Sequence, residues 1–316
     1  MLPPLALLLH PAARIAVSEF TVHWSTVLGL VGLGALYEWR ARQALGATGA
    51  LAGAASGRPT LRHDGPDDPR GARALPTSPT TGQRASFFTG LLLIFLSLNG
   101  WLHDLSDYYL FSAHMVQHLV LTLVAPPLLV MGTPGWMLRP ALTWRGVERA
   151  ARAITGARGA FLIFNVVLVA WHLPPMYNLA MAHHPVHIAQ HLCFMVAATL
   201  MWWPILSPLP ELPRLPYPAQ MLYLFLLGVP MQIVAAVITL SDTVLYPWYA
   251  SAPRTWGLTP LDDQQLGGLL MWVPGGLGLW IAITGVWLVW ARRSGLPGAG
   301  MPRGSTEEPP LTLPGT

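Results

Sequence analysis

Long apolar stretches recur along this sequence, and each is close to the roughly 20 residues that a helix needs to cross a lipid bilayer. The chain is 53% hydrophobic and only 10% charged, whereas soluble domains carry about 25% charged residues. We therefore predict an all-α membrane protein, a bundle of about seven transmembrane helices. The predicted spans cover about residues 21–41, 85–101, 110–131, 160–177, 186–206, 220–240 and 264–290.

The membrane domain is predicted over residues 21–292, and three segments lie outside its spans. Residues 43–84 are rich in Gly, Ala, Pro, Asp and Arg, which predicts a flexible cytoplasmic loop. Residues 293–316 are rich in Gly, Pro and Ser, which predicts a disordered cytoplasmic tail. Residues 1–20 form an extracytoplasmic N-terminal segment. It lacks the basic leading region and the cleavage site of a signal peptide, so we expect it to stay uncleaved.

The basic residues indicate an orientation. All 18 are arginine, and basic residues in short loops are retained on the cytoplasmic side. Only Arg14 and Arg254 fall in the other set of segments, which predicts an outside amino terminus and an inside carboxyl terminus. The arginines do not alternate with aromatic residues on one face, so we expect no nucleic-acid partner. The cytoplasmic set is Arg40, Arg42, Arg58, Arg62, Arg70, Arg73, Arg84, Arg139, Arg145, Arg149, Arg152, Arg158, Arg214, Arg292, Arg293 and Arg303.

Of the 11 histidines, only His63 falls on the arginine side. One pattern, H-x-x-Q-H-L, occurs twice, at residues 114–119 and 187–192. Histidines four apart lie on one helix face, and both helices enter the membrane from the outside. We therefore predict that His114, His118, His187 and His191 can converge on one metal site. The alternative is that these histidines form hydrogen bonds between helices.

Imidazole is a good ligand for copper, zinc, iron and nickel, and nearby sulfur favours cuprous copper. Further ligands, or acceptors of a second ring N–H, are expected among His103, His172, Gln117, Gln190, Met115 and Asp262. Single histidines at a membrane interface are more often amphipathic surface residues. We interpret His23, His183 and His184 in that way, and favour it for His103 over a ligand role. The lone Cys193 can form no disulfide within the chain.

Prolines and glycines predict two further features of the spans. Pro126 and Pro127 in the third span, and residues 274–276 in the seventh, interrupt helical hydrogen bonding. Gly267 and Gly268 predict close helix packing, because no GK[ST] motif of a phosphate loop follows them.

Several segments of the sequence together resemble the CtaG-like family of multi-spanning cytochrome c oxidase assembly proteins. They do not resemble the single-span copper chaperone that shares the name. The resemblance extends from about Trp24 to Trp290. The segments are residues 111–119, 125–129, 132–134, 171–174, the pair His187 and His191, residues 263–265, 267–268 and 271–272.

This resemblance implies a multi-pass protein of a bacterial plasma membrane that assists a haem–copper terminal oxidase, with oxidase subunits and the lipid bilayer as partners. It implies copper as the metal handled and no catalytic turnover. Two alternatives remain open. One is an electron-transfer protein that ligates haem with histidines of facing helices. The other is a zinc-dependent membrane hydrolase, for which Asp104 or Asp262 would have to act as the general base.

Overall fold

The computed structural model describes residues 21–56, 78–254 and 257–295, with residues 46–56 described in their backbone only. These residues form α-helices joined by short turns, with no strand among them, which confirms the all-α class. The helices are α1 (Trp24–Ser56), α2 (Thr81–Leu98), α3 (Trp101–Tyr108), α4 (Phe111–Gly132), α5 (Gly135–Leu138), α6 (Arg145–Thr155), α7 (Ala157–His172), α8 (Pro174–Ala182), α9 (His184–Leu206), α10 (Tyr217–Thr239), α11 (Pro247–Ala250) and α12 (Pro260–Ser294).

Five described helices are long and apolar enough to cross a membrane: α2, α4, α9, α10 and α12. Helices α6 and α7 are bent by 66° where they meet and would make a sixth span if counted as one. Helix α1 is 33 residues long but is not among the helices that are apolar enough. The predicted number of about seven spans is therefore not confirmed, and a span through α1 stays a prediction.

Several helices begin or end at other residues than the predicted spans, and three of these differences have a plain cause. The first helix continues past residue 41 to Ser56, because the added segment is rich in alanine, the strongest helix former. The second ends at Leu98, because Gly100 at φ 65° redirects the chain. The fourth ends at His172, just before the proline pair of residues 174–175. Within the predicted loop 43–84, residues 43–56 and 81–84 are thus helical, whereas residues 57–77 with His63, and likewise residues 1–20 and 296–316, lie outside the described residues.

Helix α4 lies at the centre of the bundle and contacts α2, α9 and α12, while α10 packs along α12. Glycines allow the closest of these approaches. A Cβ added to Gly267 would lie 2.4 Å from the Phe111 ring, and one added to Gly268 would lie 2.4 Å from Thr239 Oγ1. The interpretation of this glycine pair as a packing device is therefore supported.

The proline pair of α4 follows a π-helical turn at Val120–Val124. Because Pro126 has no N–H, it cannot donate to the carbonyl of Thr122 four residues earlier. That carbonyl instead accepts a hydrogen bond from Trp202 Nε1 of α9, at 2.9 Å. The predicted interruption thus takes the form of a π turn, and a neighbouring helix satisfies the freed backbone oxygen.

The described arginines of the predicted cytoplasmic side meet at the opposite end of the bundle from the histidines. Arg40 of α1 donates to the Met137 carbonyl at 3.1 Å. Arg139 pairs with Glu211 at 2.8 Å. These contacts tie α1 and the α9–α10 connection to the segment after α4. Which end faces the cytoplasm stays a prediction from the arginine distribution.

Candidate metal centre

Four histidines from two helices lie together near the start of α4 and α9. The ring centroids within each predicted pair are 4.3 Å apart for His114 and His118, and 4.4 Å apart for His187 and His191. Between the pairs, His114 lies 5.5 Å from His187 and 5.7 Å from His191, and His118 lies 5.5 Å from His191. All four side chains are buried. The structure therefore brings together the four residues that the repeated pattern singled out.

Helix starts set the depth of both pairs. Helix α4 begins at Phe111, where the carboxylate of Asp263 from α12 accepts hydrogen bonds from the Phe111 N–H at 2.7 Å and the Ser112 N–H at 3.1 Å. This carboxylate supplies the cap that Leu110, the residue just before α4, does not provide. Helix α9 begins at His184 with a proline in its first turn. Each histidine pair consequently lies within the first two turns of its helix.

The ring nitrogens of this cluster are poorly satisfied. Both nitrogens of His114, His118 and His191, and Nε2 of His187, are buried without a hydrogen-bond partner among the described residues. Buried polar atoms normally have partners, and leaving one without costs about 1–3 kcal/mol. Buried imidazoles that lie this close together without hydrogen bonds to described residues could serve together as metal ligands.

A carboxylate completes this cluster. Oδ2 of Asp107, in α3, lies 3.4 Å from His187 Nδ1, and Asp107, His114 and His187 can each place a ligand atom within 4.8 Å of the others. Burial alone raises the pKa of the Asp107 carboxyl, but the imidazoles of His103 and His187 outweigh burial and hold that pKa well below its usual value. Asp107 was not among the residues predicted as ligands. The sequence signal for it was its four-residue spacing from His103.

Two of the proposed additional residues lie next to the cluster in a supporting position. His103 Nε2 lies 3.4 Å from the same Oδ2 of Asp107 that His187 contacts. The amide nitrogen of Gln117 donates to the Ser97 carbonyl at 2.7 Å and lies 3.2 Å from His103 Nδ1. Gln117 therefore positions His103 rather than either histidine of its own helix. Both amide atoms of Gln190 are buried without a hydrogen-bond partner among the described residues.

The other three additional residues are engaged elsewhere. His172 lies 6.0 Å from His118 between ring centroids, and its Nδ1 lies 2.7 Å from the Leu168 carbonyl. Met115 is buried on the face of α4 that packs against Gly267. Asp262 is exposed and forms a capping box with Thr259 at the start of α12, where its carboxylate accepts the Thr259 hydroxyl at 2.6 Å. Its buried neighbour Asp263 is the residue that contacts α4.

Neither of the two carboxylates considered as a hydrolase base contacts the cluster by hydrogen bond. Asp262 caps its own helix. Asp104 accepts the Thr21 hydroxyl at 2.6 Å, and burial raises the pKa of its carboxyl. The half-buried His23 lies beside this carboxylate, with its ring centroid 4.3 Å from that of His103 and 6.3 Å from that of His184.

A cavity of about 520 Å³ opens between α1 and α9 and reaches the cluster. Apolar side chains of α1, α2 and α9 line most of its length, including Leu30, Leu98 and Leu192. Its polar lining is concentrated at one end, where five histidines meet it: His23, His103, His184, His187 and His191. The cluster is therefore buried from bulk solvent but open to this cavity.

The model of one sequence family, described as cytochrome c oxidase caa3 assembly factor (Caa3_CtaG), matches residues 69–293. The chain is 28% identical over 275 residues to the uncharacterized protein Mb0105 of Mycobacterium bovis and to the uncharacterized protein MT0111 of Mycobacterium tuberculosis. The matched region covers 81% of this chain and 40% of each relative. It is 25% identical over 233 residues to ML1998 of Mycobacterium leprae, or 67% of this chain and 34% of the relative. The chain thus spans about two fifths or less of these relatives. No solved structure matches it.

Proposed function

Because the chain belongs to the cytochrome c oxidase caa3 assembly factor family, we propose that it binds copper reversibly and supplies it to a haem–copper terminal oxidase in a bacterial plasma membrane. The proposed ligands are His114, His118, His187 and His191, with Asp107 as the anionic ligand. The oxidase subunits and the surrounding lipid are the partners. Copper is the cargo in this scheme, exchanged from ligand to ligand without catalytic turnover.

The observation that carries the proposal is the set of buried ring nitrogens without hydrogen bonds. Imidazole nitrogen is a preferred ligand of copper in both common oxidation states. An ion that bound here would satisfy several of these nitrogens at once, at a place where no other described group does so. The nearby carboxylate of Asp107 would offset part of the charge of the ion.

The arginine distribution supports placing the histidine end on the outer face of the membrane. A copper centre of an oxidase that faces outward would then receive its ion from the side on which this cluster lies. The helices that carry the cluster, α4 and α9, are both among those able to span a bilayer. We accordingly propose a multi-pass protein with seven spans, with α1 and the α6–α7 pair as the spans that complete the set.

Metal analysis of the purified protein tests this function. We expect wild type loaded with cuprous copper under anaerobic conditions to retain it through gel filtration. The variant His114→Ala/His118→Ala should lose most of it, because two of the four imidazoles are removed. His63→Ala/His183→Ala is the matched control, since it also removes two histidines but none from the cluster, and it should retain copper like wild type.

Three results would overturn the proposal. Equal copper in wild type and the His114→Ala/His118→Ala variant would remove the ligand assignment. A Soret band in the absorption spectrum of the purified protein would favour haem. Retention of zinc in preference to copper, together with hydrolysis of a peptide or ester substrate, would favour the enzyme alternative.

A further inference from the structure

Three described histidines outside the cluster, His23, His103 and His184, form a series that leads into it. His183 and His184 lie at the start of α9, where His183 is exposed and His184 is half-buried. His23 is also half-buried, whereas His103 is only 5% exposed and His187 only 3%. Exposure therefore falls stepwise along the series from His184 and His23 through His103 to the cluster.

The spacing of this series suits an ion that moves from ring to ring. A metal–nitrogen bond is about 2 Å, so two imidazoles that share an ion have centroids up to about 6 Å apart. His184 and His23 are separated by 6.3 Å, His23 and His103 by 4.3 Å, and His103 and His187 by 6.3 Å. Each step can thus be covered by an ion held by two neighbouring rings after a small side-chain movement.

Asp107 lies at the step between the outer series and the cluster. Its Oδ2 is 3.4 Å from His103 Nε2 on one side and 3.4 Å from His187 Nδ1 on the other. The rings of His103 and His187 face each other with an interplanar angle of 13°. A carboxylate oxygen between two imidazoles can remain a ligand while the ion exchanges one ring for the other, so the ion is not released into an apolar region during this step.

The cavity between α1 and α9 gives this series its access. His23, His103, His184, His187 and His191 all line it, so the outer rings and part of the cluster face one continuous space. The remainder of the lining is mostly apolar, which leaves the histidine end as the polar route for an ion. Ligands that line one shared cavity can pass an ion between them, whereas separate histidines at a membrane interface cannot.

We propose that His23, His103 and His184 form an outer loading site, from which a metal ion passes by way of Asp107 to the histidine cluster. This proposal rests on the function proposed above and assigns the entry route of its ion. It replaces the interpretation of His23, His103 and His184 as amphipathic surface residues. The movement is an exchange of ligands, so no bond other than metal–ligand bonds is made or broken and no electron is transferred.

The rate of copper loading distinguishes an entry route from a site of final binding. The full chain in lipid nanodiscs is mixed with a cuprous complex of a chromophoric chelator, and the loss of chelator colour is followed by stopped flow. We expect His23→Ala/His184→Ala to slow loading by at least about tenfold, since association rates among variants of one site vary over 1–3 decades. The amount of copper bound at the end should match wild type, because the cluster is intact.

His183→Ala is the matched control, because it removes the exposed neighbour that is not part of the series, and it should load at the wild-type rate. A second pair of variants tests the cavity without altering any histidine. Thr26 lines the cavity one helical turn from His23, so Thr26→Phe should slow loading. Leu28 is 70% exposed and does not line the cavity, so Leu28→Phe should not slow it.

The outcomes distinguish the two proposals. Failure of wild type to bind copper at all would overturn the proposed function. Wild-type binding with equal loading rates in His23→Ala/His184→Ala would overturn the entry route and leave the cluster assignment intact. A smaller amount of bound copper at an unchanged loading rate in that variant would also overturn the route, because it would make His23 and His184 ligands of the final site. Thermal melting of each variant in the same nanodiscs verifies that it is folded.

Discussion

At the scale of single residues, the cluster is distinguished by buried ring nitrogens to which no described residue forms a hydrogen bond. Each buried nitrogen without a partner costs about 1–3 kcal/mol, and His114, His118 and His191 each have two such atoms. Packing alone would favour leucine or phenylalanine at these positions, because an apolar side chain of similar size leaves nothing unsatisfied. Histidine at all three positions is therefore not accounted for by packing, and it is what the proposed ion would require.

Asp107 should contribute to metal affinity through its charge. Asp107→Asn keeps the size of the side chain but removes the anion from beside His187. We expect the copper dissociation constant to rise by about 10–100-fold, as is typical when a carboxylate that supports a metal site is changed. Competition with a chelator of known affinity measures the change.

Asp104→Asn is the control for this variant, because Asp104 is the neighbouring buried carboxylate and accepts from Thr21 rather than from a cluster histidine. Its copper affinity should stay near that of wild type. An unchanged affinity in Asp107→Asn would show that the carboxylate is a structural partner of His103 and His187 and not a ligand.

At the scale of helices, the ends that matter for the cluster are fixed by neighbouring elements. Helix α4 has no side-chain cap of its own, and Asp263 of α12 accepts two backbone N–H groups and the Ser112 hydroxyl there. Gln264 continues the same connection by accepting the Leu245 N–H at 2.6 Å. The start of α12 therefore holds both the first turn of α4 and the loop after α10.

Removal of this cap should destabilise the protein more than removal of its exposed neighbour. Asp263→Ala leaves two backbone N–H groups and a hydroxyl of α4 buried without an acceptor, so we expect a loss of at least about 2 kcal/mol in the free energy of unfolding. Asp262→Ala removes an exposed helix cap and should cost about 1 kcal/mol. Denaturation in mixed detergent micelles gives both values, and equal losses in the two variants would contradict the assigned role of Asp263.

At the scale of the whole molecule, the bundle depends on helices that approach at glycines. Helices α10 and α12 pack along one another, and Gly268 is where the backbone of one meets the other. A Cβ at this position would lie 2.8 Å from the Thr239 backbone nitrogen and 3.1 Å from the Ala235 carbonyl. Both are backbone atoms, so they cannot move aside without shifting a helix.

Gly268→Ala should consequently destabilise the bundle although alanine is the better helix former. We expect a loss of about 1–3 kcal/mol, the range for overpacking. Gly285→Ala in the same helix has open space around its Cβ and should instead stabilise by about 0.5–1 kcal/mol. Thermal melting of the two variants side by side measures the difference, and a stabilised Gly268→Ala would mean that the two helices are not in close contact.

The histidine cluster could be predicted from the sequence because it depends on local periodicity: two i, i+4 pairs on helices that start at the same end. The contribution of Asp107 could not be, because it depends on the turn at Gly100 that directs α3 back over the bundle. The choice of Asp262 over Asp263 differed from the structure by a single position, and adjacent residues on a helix face directions about 100° apart. The positions of these aspartates relative to the other helices depend on tertiary structure, which sequence periodicity does not encode.

The π turn at Val120–Val124 also bears on which changes of chain length this fold can accommodate. Hydrogen bonding there spans five residues instead of four, so this stretch holds one residue more than a regular helix would. Deletion of a residue from it would restore the regular spacing and leave the following proline pair close to its present direction relative to the histidine face, because the π turn accommodates the extra residue. A deletion in the preceding turn would shift the two histidines relative to each other. In a lineage of such proteins, gaps in α4 should therefore be confined to the π turn.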